Sequence, residues 1–283
     1  MTHQPHNIII KSVDNLTFQP KGIFMKPIIS FDFDMTLFDH QSLSIPASTM
    51  AAIGKLRGTR TIVIATGRDM DAHYSARYRD IIVPDAIVHM NGTKITINDE
   101  VIFKQTFNKM LLKALLDYAE EKGLCIGTTE DEKDYFTSPE EVTRHDINFW
   151  GDSKRNFQNI RHLLDMEVYH LSYIGNEKGA KDIEAHFPWV KLPMYSHKTG
   201  ADVVEKNISK AVGLQHLCNY LNTDMSETVS FGDSMNDYEM IQETGIGVAM
   251  GNAIDELKEI ADYVTDSIDC DGIWNACRHL NLI

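Results

Sequence analysis

Two aspartates separated by one residue follow the first strongly apolar run of the sequence. Asp32 and Asp34 come after Ile28–Phe31, a run typical of a buried β-strand. Residues two apart on an extended chain share a face, so both carboxylates can point to one spot beyond the strand. Buried carboxylates this close repel each other unless a cation or a proton compensates them. The pair therefore predicts a site with a divalent metal ion, one nucleophilic carboxylate and one carboxyl that carries a proton.

A similar acidic cluster follows an apolar run near the other end of the chain. Thr228–Phe231 is followed by Gly232, and then by Asp233, Asn236 and Asp237 at the start of a predicted helix. A surface turn explains one acidic residue after a glycine. It does not readily explain a second group of carboxylates that again follows a strand.

Two further groups of residues could bind phosphate, but each is weak evidence when taken alone. Thr66 and Gly67 follow the apolar run Thr61–Ala65, and a hydroxyl with backbone N–H groups at the start of a helix can bind phosphate. A threonine that simply caps the next helix explains the same residues. Lys210 begins a predicted helix, but most lysines are solvated, so it becomes a candidate only beside the acidic groups.

The composition limits the classes of partner. The chain has 283 residues and a net charge of −14, which disfavours binding to nucleic acid or to anionic membranes. The four cysteines have no metal-site spacing, and we interpret them as reduced thiols of a cytoplasmic protein. No apolar run reaches membrane-spanning length. Residues 1–24 are interpreted as a tail or extension, with Met25 as an alternative start to Met1.

The elements around these groups predict an α/β protein. Apolar runs alternate with helix-like segments in both outer parts of the chain, which is typical of parallel strands joined by helices. The middle has paired strands and helices of its own. The sequence therefore predicts a Rossmann-like core from residues 1–92 and 196–283, and an inserted α/β cap domain from residues 93–195. The acidic run 129–134 lacks calcium-loop spacing and is interpreted as a solvated turn.

In this order, the groups resemble the four motifs of the haloacid dehalogenase-like phosphohydrolase superfamily. The insert lies between the second and third motifs, because 34 residues separate Asp32 from Thr66 and 144 separate Thr66 from Lys210. This position resembles the Cof-like branch. The resemblance covers the chain from about Lys26 onward, apart from the insert, where only position and length agree. The residues that carry it are Asp32-Phe-Asp34-Met-Thr36-Leu37, Thr66-Gly67-Arg68, Asn91-Gly92, Lys210, Gly232-Asp233-Ser-Met-Asn236-Asp237, Val248-Ala-Met-Gly251-Asn252-Ala253, Ala261-Asp262-Tyr-Val-Thr265 and Asp271-Gly272.

The resemblance implies hydrolysis of a phosphate ester through an aspartyl-phosphate intermediate, with Mg²⁺ as cofactor. Asp32 would be the nucleophile and Asp34 the proton carrier. Asp32, the backbone carbonyl of Asp34 and Asp233 would bind the metal ion. The remaining implied roles are phosphate binding by Thr66, Gly67 and Lys210, support of Lys210 by Asp237, and contact of Asn236 with phosphate or a metal-bound water.

Charge counting supports the need for a cation. The four aspartates of this site, with Lys210, leave a net charge of −3, which would repel a phosphate dianion strongly in a low-dielectric cleft. A divalent cation and a proton on Asp34 bring that charge to zero.

Some alternatives remain open at this point. A sugar phosphomutase on the same scaffold would transfer the phosphoryl group to a hydroxyl, and a phospho-aspartate regulatory module would retain it. A dinucleotide site at Gly245–Gly251 has the wrong glycine spacing. Met35 replaces the glycine usual in the first motif, which leaves the substrate range open. Sugar phosphates, phosphorylated cofactors and nucleotides all fit, and the oligomeric state is unknown.

Overall fold

The computed structural model describes residues 26–195 and 197–283. The predictions about residues 1–24 and about Met25 as a start lie outside the described residues. Within them, the chain forms two β-sheets, one of eight strands and one of five. None of the described helices combines the length and the hydrophobicity needed to cross a bilayer.

The larger sheet is largely parallel, as predicted for the core. Its strand order is β13-β12-β11-β1-β2-β3-β4-β5, and all pairs from β13 to β3 are parallel. Strands β1 and β11 lie at its centre and are buried throughout, which explains their continuous apolar runs. The strands are β1 (Ile28–Phe31), β2 (Thr61–Ala65), β3 (Ala86–His89), β4 (Lys94–Ile97), β5 (Glu100–Lys104), β11 (Val229–Gly232), β12 (Ile246–Ala249) and β13 (Tyr263–Val264).

The smaller sheet is antiparallel and has the order β7-β6-β8-β10-β9. It has a hydrophobic core of its own, with Leu116, Tyr173 and Val203 among the buried side chains. Strands β6 and β7 form a hairpin, so the acidic run interpreted as a turn consists of two strand ends joined at Asp131 and Glu132. The strands are β6 (Cys125–Glu130), β7 (Lys133–Phe136), β8 (Leu171–Ile174), β9 (Val190–Lys191) and β10 (Gly200–Glu205).

Helices cover both sheets. Apolar clusters pack on the two faces of the larger sheet, one around Phe31 and Ile53 and the other around Val88 and Leu214. The described helices are α1 (Ala47–Leu56), α2 (His73–Ile82), α3 (Lys109–Lys122), α4 (Pro139–Trp150), α5 (Glu177–His186), α6 (Lys210–Leu221), α7 (Tyr238–Glu243), α8 (Asp255–Ile260) and α9 (Gly272–His279).

Sheet membership differs from the predicted limits of the insert. Strands β4 and β5 were assigned to residues 93–195, but they pair with β3 and extend the larger sheet. The residues that form β10 fall within the range 196–283 predicted for the core, but β10 lies between β8 and β9 in the smaller sheet. Both chain crossings between the sheets therefore fall later than predicted, after Lys104 and after Glu205. The division into a core and a cap domain stays a prediction; "core" and "cap" below denote the larger and the smaller sheet with their helices.

Candidate active site

The parallel pairing of β1 with β11 brings the two acidic motifs together. Phe31 lies opposite Phe231 in the register, and their rings stack with centroids 5.0 Å apart. The backbone N–H of Asp32 donates to the carbonyl oxygen of Phe231 at 2.9 Å. Asp32 and Asp233 therefore leave adjacent strands at the same sheet edge, where open α/β sheets bind ligands.

Lys210 lies between two of the carboxylates. Its side chain is fully buried, and its Nζ donates to Asp32 Oδ1 at 2.5 Å and to Asp237 Oδ1 at 2.7 Å. Burial alone would lower the pKa of Lys210, but Asp237 and Asp32 hold that pKa above its usual value. The lysine is charged, and the role predicted for Asp237 as its support agrees with this contact.

Two glycines let α6 approach the core closely enough to place Lys210. A Cβ on Gly213 would lie 2.4 Å from Cγ1 of Val88 and 2.9 Å from Cα of Gly92. Gly92 has a φ of +103°, and a Cβ there would lie 2.4 Å from the carbonyl oxygen of Ser209. The Asn91-Gly92 pair thus provides close packing beside the first turn of α6.

Three buried carboxylates form a group that fits a cation. Oxygen atoms of Asp32, Asp233 and Asp237 all lie within 4.8 Å of one another. Burial raises the pKa of Asp32 to about 7, even though Lys210 opposes this. Burial, with the charges of Asp32 and Asp237, raises the pKa of Asp233 well above its usual value. One lysine does not compensate the group, and hard oxygen donors of this kind are those that Mg²⁺ prefers.

The two oxygens of Asp237 are already used by the protein. Oδ2 accepts hydrogen bonds from the backbone N–H groups of Asp233 and Ser234, at 3.0 and 3.1 Å, and Oδ1 accepts from Lys210. Asp233 Oδ1 accepts from the hydroxyl of Thr36 at 3.2 Å. The donors best placed to hold a metal ion are therefore Asp32 and Asp233.

Asp34 has a different environment from Asp32. Arg68 donates to both of its oxygens, at 2.7 and 2.5 Å, and His40 Nε2 lies 2.6 Å from Oδ1. Burial would raise the pKa of Asp34, but Arg68 and His40 hold it well below the usual range. The second motif contains Arg68, for which the sequence predicted no role. Its position directly after Gly67 was the signal for a cation near the first motif.

The other predicted phosphate-binding residues lie at the same sheet edge. Thr66 is fully buried, and its hydroxyl accepts from the backbone N–H of Arg68 at 3.1 Å within a turn. The next helix, α2, begins only at His73 after Ala72, so the alternative that Thr66 caps this helix is wrong. Gly67, Asp32, Asp233 and Asn236 all line one cavity. These predicted residues are thus brought together, whereas Thr66 and Lys210 lie behind the cavity surface.

Asp202 is an acidic residue of this site that the sequence did not predict. It projects from β10 of the cap and is buried, and its Oδ2 accepts from the side-chain amides of Asn91 at 2.8 Å and Asn236 at 3.4 Å. A Cβ on Gly67 would lie 3.0 Å from the same oxygen. The assignment of β10 to the core concealed this contact between the two sheets.

The cavity at this site measures about 750 Å³. Its core side contains the catalytic candidates and Met35, whose φ of +59° is in the left-handed region that favours glycine. Asn252 donates to the backbone carbonyl of Met35 at 2.9 Å, which helps to hold this turn. The cap side consists of His145, Phe149, His170, Ser172, Tyr195 and His197, with Asp202 nearer the core.

Comparisons with known proteins agree with this geometry. The chain is 32% identical over 262 residues to YkrA of Bacillus subtilis strain 168, which is named as a phosphatase, and the match covers 90% of this chain and 98% of YkrA. It is 26% identical over 259 residues to the 5-amino-6-(5-phospho-D-ribitylamino)uracil phosphatase YitU of the same organism, covering 87% and 94% of the two chains. The solved structure of the subclass IIB sugar phosphatase BT4131 superposes with a TM-score of 0.82 at 29% identity, covering 91% of this chain and all of that one.

The match to a family model extends almost from the first strand to the last helix. Residues 29–277 match the model of the haloacid dehalogenase-like hydrolases. This range contains both acidic motifs, Lys210 and the whole cap, so the match includes every group described above. The family, the α/β fold and the phosphatase class expected from the motifs are confirmed. The chain belongs to the haloacid dehalogenase-like hydrolases, and it is a phosphoric monoester hydrolase.

Proposed function

We propose that this protein hydrolyses phosphate monoesters of small molecules through an aspartyl-phosphate on Asp32, with Mg²⁺ as cofactor. The observation that carries the proposal is the buried contact of Lys210 with Asp32, next to Asp233 and at the end of the cavity. A nucleophilic carboxylate beside a fixed cation and further carboxylates fits phosphoryl transfer, in which positioning and charge compensation supply most of the catalysis.

In the first step, an oxygen of Asp32 attacks phosphorus and the bond from phosphorus to the leaving oxygen breaks. Lys210 orients Asp32 and offsets negative charge on the reacting group. In the second step, water attacks phosphorus, the bond to Asp32 breaks, and inorganic phosphate leaves. Gly67 and Asn236 line the cavity, and we expect backbone N–H groups at Gly67 to bind phosphoryl oxygens. The side-chain amide of Asn236 donates to Asn91 and Asp202 in this structure, so it would have to leave them to bind phosphate.

Asp34 is the proton carrier in this scheme. It protonates the leaving oxygen in the first step and accepts a proton from the attacking water in the second. Since Arg68 and His40 keep it ionised in this structure, the contact with Arg68 has to loosen before Asp34 can carry a proton. Arg68 lines the same cavity, so its guanidinium can bind the phosphoryl group instead.

The proposed Mg²⁺ site consists of Asp32 and Asp233, with the backbone carbonyl of Asp34 as the further protein donor implied by the resemblance. Bound there, the ion supplies positive charge that neutralises the carboxylates and polarises the phosphoryl oxygens. The four cysteines are free thiols, and we place the activity in the cytoplasm, where thiols stay reduced.

The test is release of inorganic phosphate from p-nitrophenyl phosphate and a panel of phosphate esters by the full chain. We expect activity with Mg²⁺, none after EDTA, and recovery when Mg²⁺ is restored. Asp32→Asn should be inactive but folded. Asp99→Asn, in the exposed turn between β4 and β5, is the matched control and should retain full activity.

Two outcomes would contradict the proposal. Full phosphate release by Asp32→Asn would exclude this residue as the nucleophile. Transfer of the phosphoryl group from a hexose phosphate to a second hydroxyl, without release of inorganic phosphate, would identify a phosphomutase instead.

A further inference from the structure

One end of the active-site cavity is formed by aromatic and imidazole rings of the cap. The rings of His145 and Phe149 stack with centroids 4.5 Å apart, and Phe149 and His197 are 4.8 Å apart. Tyr195 follows at 5.6 Å from His197. These residues, His145, Phe149, Tyr195 and His197, all line the cavity that contains Asp32 and Asp34, and we call them the ring cluster.

The ring cluster is held in place by the protein but leaves an apolar face open. The hydroxyl of Thr199 lies 2.6 Å from His197 Nδ1 and 3.3 Å from His145 Nε2, so it fixes both imidazoles. Phe149 nevertheless keeps 42% of its surface exposed. Exposing a phenyl ring to water at the wall of an active-site cavity is unfavourable, and covering the ring with a ligand lowers the free energy of the complex.

The charges of the cavity exclude a leaving group with a second anionic group. Among the described lining residues, Arg68 is the single lysine or arginine, and it is paired with Asp34. Burial lowers the pKa values of His145 and His197, so both imidazoles are neutral at neutral pH. The near acidic group, Asp202, already accepts hydrogen bonds from Asn91 and Tyr195.

The size and the polar groups of the cavity favour a planar heterocycle over a hexose as the leaving group. A volume of about 750 Å³ is in the upper part of the range for drug-sized ligands. Hexoses are usually held by several carboxylate and amide side chains that pair with adjacent hydroxyls. At the cap end, the described lining offers three imidazoles and Ser172 instead, and the carboxylate of Asp202 is already hydrogen-bonded by Asn91 and Tyr195. A neutral imidazole has one donor and one acceptor nitrogen in the plane of its ring. Thr199 contacts one nitrogen of His145 and one of His197, and the second nitrogen of each ring suits the edge of a planar heterocycle.

We propose that the ring cluster binds a planar heteroaromatic ring without net charge in the leaving group of the substrate, with the ring stacked on Phe149. This inference rests on the proposed function, because the ring cluster and the nucleophile share one cavity. The substrate class is the phosphate monoester of an alcohol that carries such a ring.

The test compares pyridoxal 5′-phosphate and flavin mononucleotide with glucose 6-phosphate, in wild type and in two variants of α4. For at least one ring-bearing ester, we expect kcat/KM about tenfold or more above that for glucose 6-phosphate. Phe149→Ala should lower that value about tenfold, the usual cost of losing a stacking partner, and change the value for glucose 6-phosphate less than about twofold. Ile147→Ala, an exposed apolar residue of the same helix outside the cavity lining, should change neither.

Phe149→Tyr and Phe149→Leu separate ring stacking from apolar contact. The tyrosine should keep the selectivity, whereas the leucine should lose most of it. Equal losses for all three esters in Phe149→Ala, or a preference of the wild type for glucose 6-phosphate, would overturn the inference and leave the phosphatase activity intact.

Binding to the inactive protein distinguishes this inference from the proposed function. Titration calorimetry with Asp32→Asn and Mg²⁺ should show binding of pyridoxal 5′-phosphate or flavin mononucleotide, weakened about tenfold by adding Phe149→Ala. If no ester is hydrolysed by the wild type but this binding difference persists, the proposed function fails and the ring site stands. If esters are hydrolysed and the difference is absent, the ring site fails.

Discussion

Neutralising Asp32 should make the metal-free protein more stable at neutral and alkaline pH. Burial raises the pKa of Asp32 from 3.8 to about 7. The charge of Lys210 opposes this rise, and the charges of Asp237 and Asp34 add to it. A carboxyl with a raised pKa in the folded state binds its proton more tightly when folded. It therefore reduces stability once the pH exceeds the unfolded value. In Asp32→Asn, the carboxamide keeps the shape of the protonated acid and cannot ionise.

The size of the effect follows from the shift. One pKa unit corresponds to about 1.4 kcal/mol, so a rise from 3.8 to about 7 corresponds to about 4 kcal/mol when Asp32 is ionised in both states. Near pH 4, the carboxyl is largely protonated in the folded state and half protonated in the unfolded state, and the two proteins should differ by less than about 1 kcal/mol. The difference should grow between pH 4 and 7 and reach about 4 kcal/mol near pH 8.

The assay is urea unfolding in EDTA from pH 4.5 to 8.5, followed by fluorescence of the three tryptophans, with Asp99→Asn as the matched control. Added Mg²⁺ should stabilise the wild type by mass action and reduce the difference from Asp32→Asn. If Asp32→Asn is no more stable than the wild type at pH 8 without metal, the reasoning about uncompensated buried charge is refuted.

Three further predictions test how the site is positioned and charged. Gly213→Ala should lower the free energy of unfolding by about 1–3 kcal/mol, because the added Cβ overpacks against Val88. Its control is Gly54→Ala in α1, where nothing lies within 4 Å of the added Cβ. This variant should raise the free energy of unfolding by about 0.5–1 kcal/mol in the same urea titration. Asp202→Asn should lower the inhibition constant of inorganic phosphate about tenfold, because a negative charge near the phosphate-binding groups is removed; an unchanged constant would contradict this. Arg68→Gln should raise the pKa of Asp34, because the guanidinium that lowers this pKa is removed. The pH above which kcat/KM falls should therefore be higher in the variant. A pH profile like that of the wild type would argue against the ion pair.

The convergence of the two acidic motifs could be predicted from the sequence. Asp32 and Asp233 each follow a continuous apolar run, and buried parallel strands end at a common edge of their sheet. These patterns do not show that β1 and β11 are neighbours in the sheet. The order of the four motifs implied it, because the family that the motifs resemble brings them together in one site. The residues that we propose as donors to the metal ion could therefore be predicted from the sequence.

The partner of Asp34 and the role of Asp202 could not be predicted in the same way. Arg68 stands in a quoted motif, but whether its guanidinium reaches Asp34 depends on two turn conformations that spacing does not specify. Strand β10 shows a further limit. Its apolar pattern indicates a buried strand, but the pattern of a strand does not tell which sheet it joins. The same limit misplaced β4 and β5 relative to the structure.

In the proposed mechanism, Arg68 connects substrate binding to the protonation of Asp34. It is paired with Asp34 in this structure, and it lines the cavity that the phosphoryl group has to enter. A phosphate dianion carries more charge than one carboxylate, so it competes for the guanidinium when it binds. Asp34 then loses its counter-ion and gains a negative neighbour, and both changes raise its pKa. If Asp34 is the proton carrier, as proposed, the proton that the leaving oxygen needs is bound most tightly when the site is occupied, and acid catalysis is coupled to the presence of the substrate.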